Sequence, residues 1–516
     1  MIIVDLAVVL SILLTLVGSL LNLRWVRWGN TLFLIGILVL LVRVTYLLLH
    51  LNALPRFVAV QAIFIASLCM VWATATLHAL LLGEGENVGS VFLVAAHSFY
   101  VLVLLAILIG SGTLHAVLID ACVIALVGIS VASRGRRPHG LGRFVAAVLL
   151  PASLLIHTSS VVGAELGGGG LRIISLFGYA VLAVAVPAHP WFLRVITERD
   201  DVFMVAAAVS VVYLGYLGLI LGLSEVVEDV ALWAFSMLGF VTLFYASAHA
   251  FARRDLSGCV AYYVSATAGL LLSFTSVLML FSVDTAVLAA AILGAGSVMF
   301  VPAILPSVTR QAGLEVGHTL TFARPPVLTL LLVSGAFPSV SLLGRALLAA
   351  MLSSLQGSAS VPTLGLLVLS VVMMSAAVTN SLKFRVMRSR VALTLPLLVN
   401  ASLTLILFCV LLWSLLGSLS LSAVQLMLWL LLIGFVSGFS AWLTAWHEVL
   451  GSFLGRAFTH LPSAVVGLER RFRFVAERVV ELLEIVETEE RFLATLSLLV
   501  LLVATVAVVL LGGVVP

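Results

Sequence analysis

The chain has 516 residues, 63% of them hydrophobic and 9% charged, with a formal net charge of +4 and a mean hydropathy of +1.29. A water-facing surface carries roughly a quarter charged residues, so this composition excludes a soluble domain of this size and leaves lipid as the main solvent. Apolar stretches of about 20 residues, each long enough to cross a hydrocarbon core of about 30 Å, recur without strand-like alternation, and an all-α polytopic membrane protein is expected.

In chain order the expected spans are 2–22, 29–51, 57–82, 88–110, 113–133, 143–163, 171–193, 202–223, 229–250, 258–282, 284–306, 326–352, 362–382, 391–413, 421–447 and 491–513. The first stretch reads as a span rather than a leader. Asp5 precedes its apolar run, and neither a basic segment nor a small-x-small cleavage site accompanies it. Gly167 to Gly170 read as a hinge between the sixth and seventh spans, since no phosphate-binding motif surrounds them. The loops are short except for 448–490.

Charge orients the chain. The odd-numbered loops carry Arg24, Arg27, Arg134, Arg136, Arg137, Arg143, Arg194, Arg199, Arg253, Arg254, Arg310, Arg324, Lys383, Arg385, Arg388 and Arg390, whereas the even-numbered loops carry Arg56 and Arg172. Positive residues mark cytoplasmic loops, so the N-terminus is expected outside a cell membrane. Within 448–490, the positions Leu468, Phe472, Val475, Val479, Leu482 and Val486 recur at spacings of three and four, with Glu and Arg on the other faces. This pattern predicts an amphipathic helix over 462–490 that lies laterally on the cytoplasmic side before the last span.

Cys69, Cys122, Cys259 and Cys409 are far apart in apolar runs and read as packing residues. Metal-ligand clusters, haem attachment motifs and specific nucleotide-binding loops are not found, so neither a metal nor another cofactor is expected in this chain, and no nucleic-acid partner. The chemistry that remains is intramembrane. An ionisable residue at bilayer depth is costly and marks a candidate pathway. Asp120 in the fifth span and Arg345 in the twelfth are flanked by apolar residues on both sides, and Arg43 lies near the middle of the second span. His97, His115, His157 and His249 are also placed within spans. Each histidine has a plain alternative as a hydrogen-bonded packing residue, and Asp120 and Arg345 have one as a structural ion pair. Pro187 and Pro190 at the end of the seventh span and Pro338 in the twelfth predict broken or kinked helices, which line ion paths in transporters or serve as simple kinks.

Three stretches carry a family resemblance. They are Gly178-Tyr-Ala-Val-Leu-Ala-Val-Ala-Val-Pro187-Ala-His189-Pro-Trp191-Phe-Leu193, Phe251-Ala-Arg-Arg-Asp255-Leu-Ser-Gly-Cys-Val-Ala261-Tyr262-Tyr-Val-Ser265, and Gly335-Ala-Phe-Pro338-Ser-Val-Ser-Leu-Leu-Gly344-Arg345. In order and span number they resemble the antiporter-like membrane subunits of complex I (NADH-quinone oxidoreductase), Mrp cation/proton antiporters and membrane-bound hydrogenases. The region involved runs from about Thr113 to Arg390. The resemblance implies two inverted five-helix repeats, spans 4–8 and 9–13, inside an antiporter-like core over 88–390. Spans of the N-terminal part, 1–87, precede it and those of 391–447 follow, then the lateral helix in 448–490 and the last span in 491–516. It also implies partner membrane subunits that hold the redox centres, and transport of protons or Na⁺.

This chain departs from the family pattern. Lys383 is its one lysine, in a loop. The family's seventh-span lysine position falls on Leu182, its eighth-span basic position near Val212 and its loop lysine on Ser257, and Leu293 to Phe300 lack the central histidine and lysine. Asp120 stands at the fifth-span carboxylate and Arg345 at the twelfth-span lysine or glutamate. Arginine keeps its proton, with a pKa above about 12. The candidates for a divergent path are therefore Asp120, Arg345, His115, His157, His189 and His249. The alternatives are a non-pumping structural subunit of such a complex and an independent multi-pass transporter.

Overall fold

The computed structural model describes residues 6–82, 90–132, 138–166, 169–198, 201–226, 228–252, 256–281, 285–302, 339–354, 360–383, 394–416 and 423–446. The expected lateral helix, the last span, Asp255 and Pro338 lie outside these residues. The described residues fold into sixteen α-helices. They are α1 Leu6–Leu21, α2 Val26–Leu49, α3 Arg56–Leu82, α4 Ser90–Ile109, α5 Gly112–Ala132, α6 Pro138–Leu166, α7 Gly169–Leu182 and α8 Pro190–Glu198. They continue with α9 Val202–Ser224, α10 Asp229–Ala252, α11 Leu256–Leu280, α12 Ala286–Val298, α13 Val340–Ser354, α14 Ser360–Lys383, α15 Thr394–Leu416 and α16 Ala423–Trp446. Nine of them are long and apolar enough to cross a bilayer. Each of the first fifteen expected spans overlaps a helix, and the seventh is divided between α7 and α8. Gly169 and Gly170 open α7 instead of forming a hinge.

The broken span has a clear local cause. Pro187 and Pro190 offer no N–H to a helix ladder, and Pro190 suits the first position of α8. At the end of α7 the Ala185 N–H donates to the Ala180 carbonyl at 2.9 Å and the Val184 N–H to the Val181 carbonyl at 3.1 Å. These six-to-one and five-to-two bonds form a Schellman ending, which puts its C′ residue in the left-handed region. That residue is Val184, with φ at +68°. A β-branched side chain there costs about 1–2 kcal/mol, so the break is held against local preference. The Trp191 indole N–H donates to the Val181 carbonyl at 3.0 Å and bridges the break from the α8 side. After the break, α9 starts where the Asp201 carboxylate accepts from the Phe203 and Met204 N–H groups, an N-cap worth about 1 kcal/mol.

Close backbone approach locks the broken span in place. A Cβ on Gly215 of α9 would lie 2.3 Å from the Ala183 nitrogen, and one on Gly218 would lie 2.0 Å from the Tyr179 ring. Gly222 meets Leu176 on the same side of α9. The glycines at 215, 218 and 222 thus form the small-residue face that lets membrane helices touch by their backbones.

Helix neighbours form two closed rings. In the first, α4 packs on α5, α5 on α6, α6 on α7, α7 on α9, and α9 back on α4. In the second, α10 packs on α11, α11 on α12, α12 on α13, α13 on α14, and α14 back on α10. The rings meet where α9 touches α11 and α12 and where α8 touches α11. Helix α3 runs against α4, α9 and α12 and so belongs to the junction. The apolar windows of α3, α9 and α11 are 89%, 94% and 89% buried, while those of α2 and α15 are 44% and 39% buried and lie at the periphery.

Candidate functional site

The fold distributes the expected polar residues over separate places. Asp120 faces α6 from α5, and its Oδ2 lies 2.7 Å from Nδ1 of His157. The side chains are 24% and 35% exposed, so the pair sits on the flank of the first ring rather than in its centre. Exposed Val117 on α5 and Leu154 on α6 flank it. The pair joins a carboxylate and an imidazole, side-chain types whose ordinary proton affinities lie below and near neutrality.

Arg345 is fully buried on α13. Its Nη2 donates to the Tyr263 hydroxyl on α11 at 2.7 Å. The Tyr263 ring packs edge-on against Phe300. Gly344 permits this placement, because a Cβ there would lie 2.5 Å from the Leu293 backbone. Around the ring junction several buried neutral groups are bonded. Tyr213 donates to the Ala295 carbonyl at 3.0 Å and Tyr216 to the Val264 carbonyl at 2.8 Å. The Asn400 amide donates to Thr74 and to the Met299 carbonyl, both at 3.1 Å, and Trp72 donates to Ser210 at 2.9 Å. Asp120 and Arg345 each contact a different residue, in different rings.

A third cluster forms at the break. His189 lies between α7 and α8, with its ring 5.1 Å from Tyr262 of α11 and 5.8 Å from Tyr245 of α10. The His249 ring lies 4.2 Å from that of Tyr245, tilted to it, and stacks on Tyr262 at 5.2 Å. Two imidazoles and two phenols from three segments therefore form one aromatic box. The Val186–Pro187 bond just before His189 is cis. Trp191 points instead at the α7 terminus, as a support of the break.

Two further histidines are buried and bonded. His115 donates from Nδ1 to the Ala106 carbonyl at 2.8 Å and so caps the end of α4, where Gly110 turns the chain with φ at +69°. The Asn22 amide lies 2.9 Å from Nδ1 of His97, whose ring stacks on Phe33 with centroids 3.6 Å apart. Arg43 is not at mid-span. It lies six residues before the end of α2 and beside Ala7, in the first turn of α1, which places it toward one membrane boundary. Leu182 and Val212, at the seventh- and eighth-span basic positions, and Leu293, which opens the stretch without the central histidine and lysine, are fully buried in the apolar core.

Sequence reading missed Tyr245, Tyr263 and Asn400. Tyr245 was within reach, since it precedes His249 by four residues and shares its helix face. For Tyr263 and Asn400 the signal is tertiary, because each bonds a residue more than 80 positions away.

No protein-family model matches the chain, and no curated protein matches it. Among solved structures the chain is similar to a chain of respiratory complex I from Thermus thermophilus with bound NADH. The TM-score is 0.47 and the identity 18%, over 87% of this chain and 98% of that one. It is also similar to a chain of the membrane-bound sulfane sulfur reductase, an archaeal respiratory membrane complex. There the TM-score is 0.43 and the identity 12%, over 89% of this chain and 99% of that one.

Proposed function

We propose that the chain is an antiporter-like membrane subunit of a redox-driven or Mrp-type complex, and that it moves protons through its first ring. The carrying observation is the 2.7 Å contact between Asp120 and His157 within two membrane-crossing helices. An ionisable pair at this depth is costly and has a direct use in proton transfer. The His189, Tyr245, His249 and Tyr262 box supplies a second set of groups able to exchange protons, beside the break of the seventh span. Two features support the family reading. The seventh-span stretch with Pro187, His189 and Trp191 forms a broken helix, and the neighbour order of the first ring is repeated in the second. Five crossings per ring is an odd number, so the second ring enters the bilayer from the opposite side, as an inverted repeat does. The arginine-rich loops orient the N-terminus outside and the lateral helix inside.

A scaffolding subunit that has lost transport is the second reading. Its specific support is the burial of Leu182, Val212 and Leu293 where a relay would need titratable groups, together with Arg345 in place of a lysine.

Purification from the native membrane in mild detergent, with mass spectrometry of what accompanies the chain, tests the complex. Partners carrying redox centres, or further membrane subunits of an antiporter, are expected. A chain that purifies alone contradicts both readings and points to an independent transporter. Proton flux in the reconstituted complex then separates pump from scaffold. Asp120→Asn is expected to lower it at least about tenfold, and unchanged flux leaves the scaffold.

A further inference from the structure

The outer face of α2 carries a feature that proton movement does not use. Ala7 of α1 and Ile35, Leu38, Val39, Val42, Arg43 and Tyr46 of α2 line an apolar groove of about 600 Å³. Ile35, Leu38 and Val42 are exposed and face the surroundings of the bundle. At the far end of the groove the wall becomes polar. The Arg43 guanidinium lies over the Tyr46 ring, 5.3 Å from its centroid. Tyr46 is 54% exposed, and its ring lies 4.8 Å from that of His50. His50 donates from Nδ1 to the Tyr46 carbonyl at 3.1 Å, which fixes the imidazole at the helix end. Arg43, Tyr46 and His50 follow at spacings of three and four and so share one stripe of α2.

The depth of this stripe matches a headgroup boundary. Arg43 is six residues from Leu49, about 9 Å along the helix. A snorkelling arginine spans most of that distance, laying its stem on apolar surface and its charge toward the polar layer. The Tyr46 phenol sits where interfacial tyrosines collect. The apolar wall thus gives way to a cation and a phenol in the direction in which acyl chain gives way to glycerol and phosphate.

We infer that this groove binds an anionic phospholipid in the leaflet opposite Arg24 and Arg27. One acyl chain lies along Ile35, Leu38, Val39 and Val42, and the phosphate sits at Arg43 and the Tyr46 hydroxyl. The charge of Arg43 selects an anionic lipid over a zwitterionic one, whose ammonium group would offset the attraction.

Native mass spectrometry of the full chain in detergent, titrated with phosphatidylglycerol or phosphatidylcholine, tests the site. Wild type is expected to bind phosphatidylglycerol about tenfold more tightly, the value of one charge-assisted contact. Arg43→Gln is expected to remove that preference. Ile35→Trp keeps the charge and fills the groove at a surface position, and it is expected to weaken both lipids. Arg27→Gln, at the other end of α2, is expected to change neither. Equal binding of the two lipids by wild type overturns the inference, and so does a preference that survives Arg43→Gln. A photo-crosslinker at position 42 that captures a protein in the native membrane also overturns it, since the groove then seats a partner helix. If Arg43→Gln does not fold, Tyr46→Phe combined with the Ile35→Trp result decides between these outcomes.

Discussion

The first ring holds a contacting ionisable pair on its flank, Asp120 and His157, besides the buried His97 and His115. Among the described residues the second ring holds one fully buried cation, Arg345, bonded to the Tyr263 phenol. The helices around them follow the same order of neighbours. Equivalent scaffolds thus carry opposite chemistry. The pair joins the two side-chain types whose ordinary proton affinities lie below and near neutrality, whereas a guanidinium keeps its proton. The comparison teaches that the two rings share an order of packing while the ionisable groups they hold differ.

Substitutions that break the comparison start with backbone contacts, which both rings need. Gly215→Val drives a side chain into the Ala183 backbone. It is expected to cost about 3 kcal/mol or more, read as loss of monodisperse protein or a large fall in Tm. Gly344→Val is expected to do the same in the second ring, where the Leu293 backbone stands as close. A ring that tolerates its valine has been assigned the wrong crossing. Arg345→Gln sharpens the comparison from the charged side. It leaves the Tyr263 hydroxyl without its donor and opens space in a full core, at an expected cost of about 3 kcal/mol. Proton flux is expected to stay within about twofold of wild type, because a non-titrating group contributes little to relay. A flux that collapses in this variant would move the path into the second ring.

Smaller effects are expected at a support of the broken span and at the turn between α4 and α5. Trp191→Phe keeps the ring and loses the N–H that reaches the Val181 carbonyl, so thermal stability is expected to fall by about 1–2 kcal/mol. Gly112→Ala meets no atom within 4 Å but forces a φ of +86° on an L residue, and the expected loss is about 1 kcal/mol. The two variants together separate lost hydrogen bonding from lost backbone freedom.

The helical architecture was legible because lipid imposes it. Apolar runs of the right length have no other solution, and the first fifteen spans fall on helices for that reason. The break at Pro187 was legible as two prolines and a histidine close together. How the break is closed was not, because the left-handed Val184 follows from the Gly215 backbone 31 residues later, and no local preference favours it. The partners of the buried charges were the least legible. Nothing near Asp120 in sequence indicates His157, since the pairing depends on how α5 and α6 face each other. Arg43 misled for a related reason. Its position in the span looked central, while the offset of α1 against α2 puts it near a boundary.

The most direct test is proton flux through the native complex in vesicles, with Asp120→Asn and Arg345→Gln measured side by side and normalised to folded protein. Flux that falls at least about tenfold in Asp120→Asn and stays near wild type in Arg345→Gln is the expected result. Equal flux in wild type and Asp120→Asn, or a loss confined to Arg345→Gln, would contradict a proton path through the first ring.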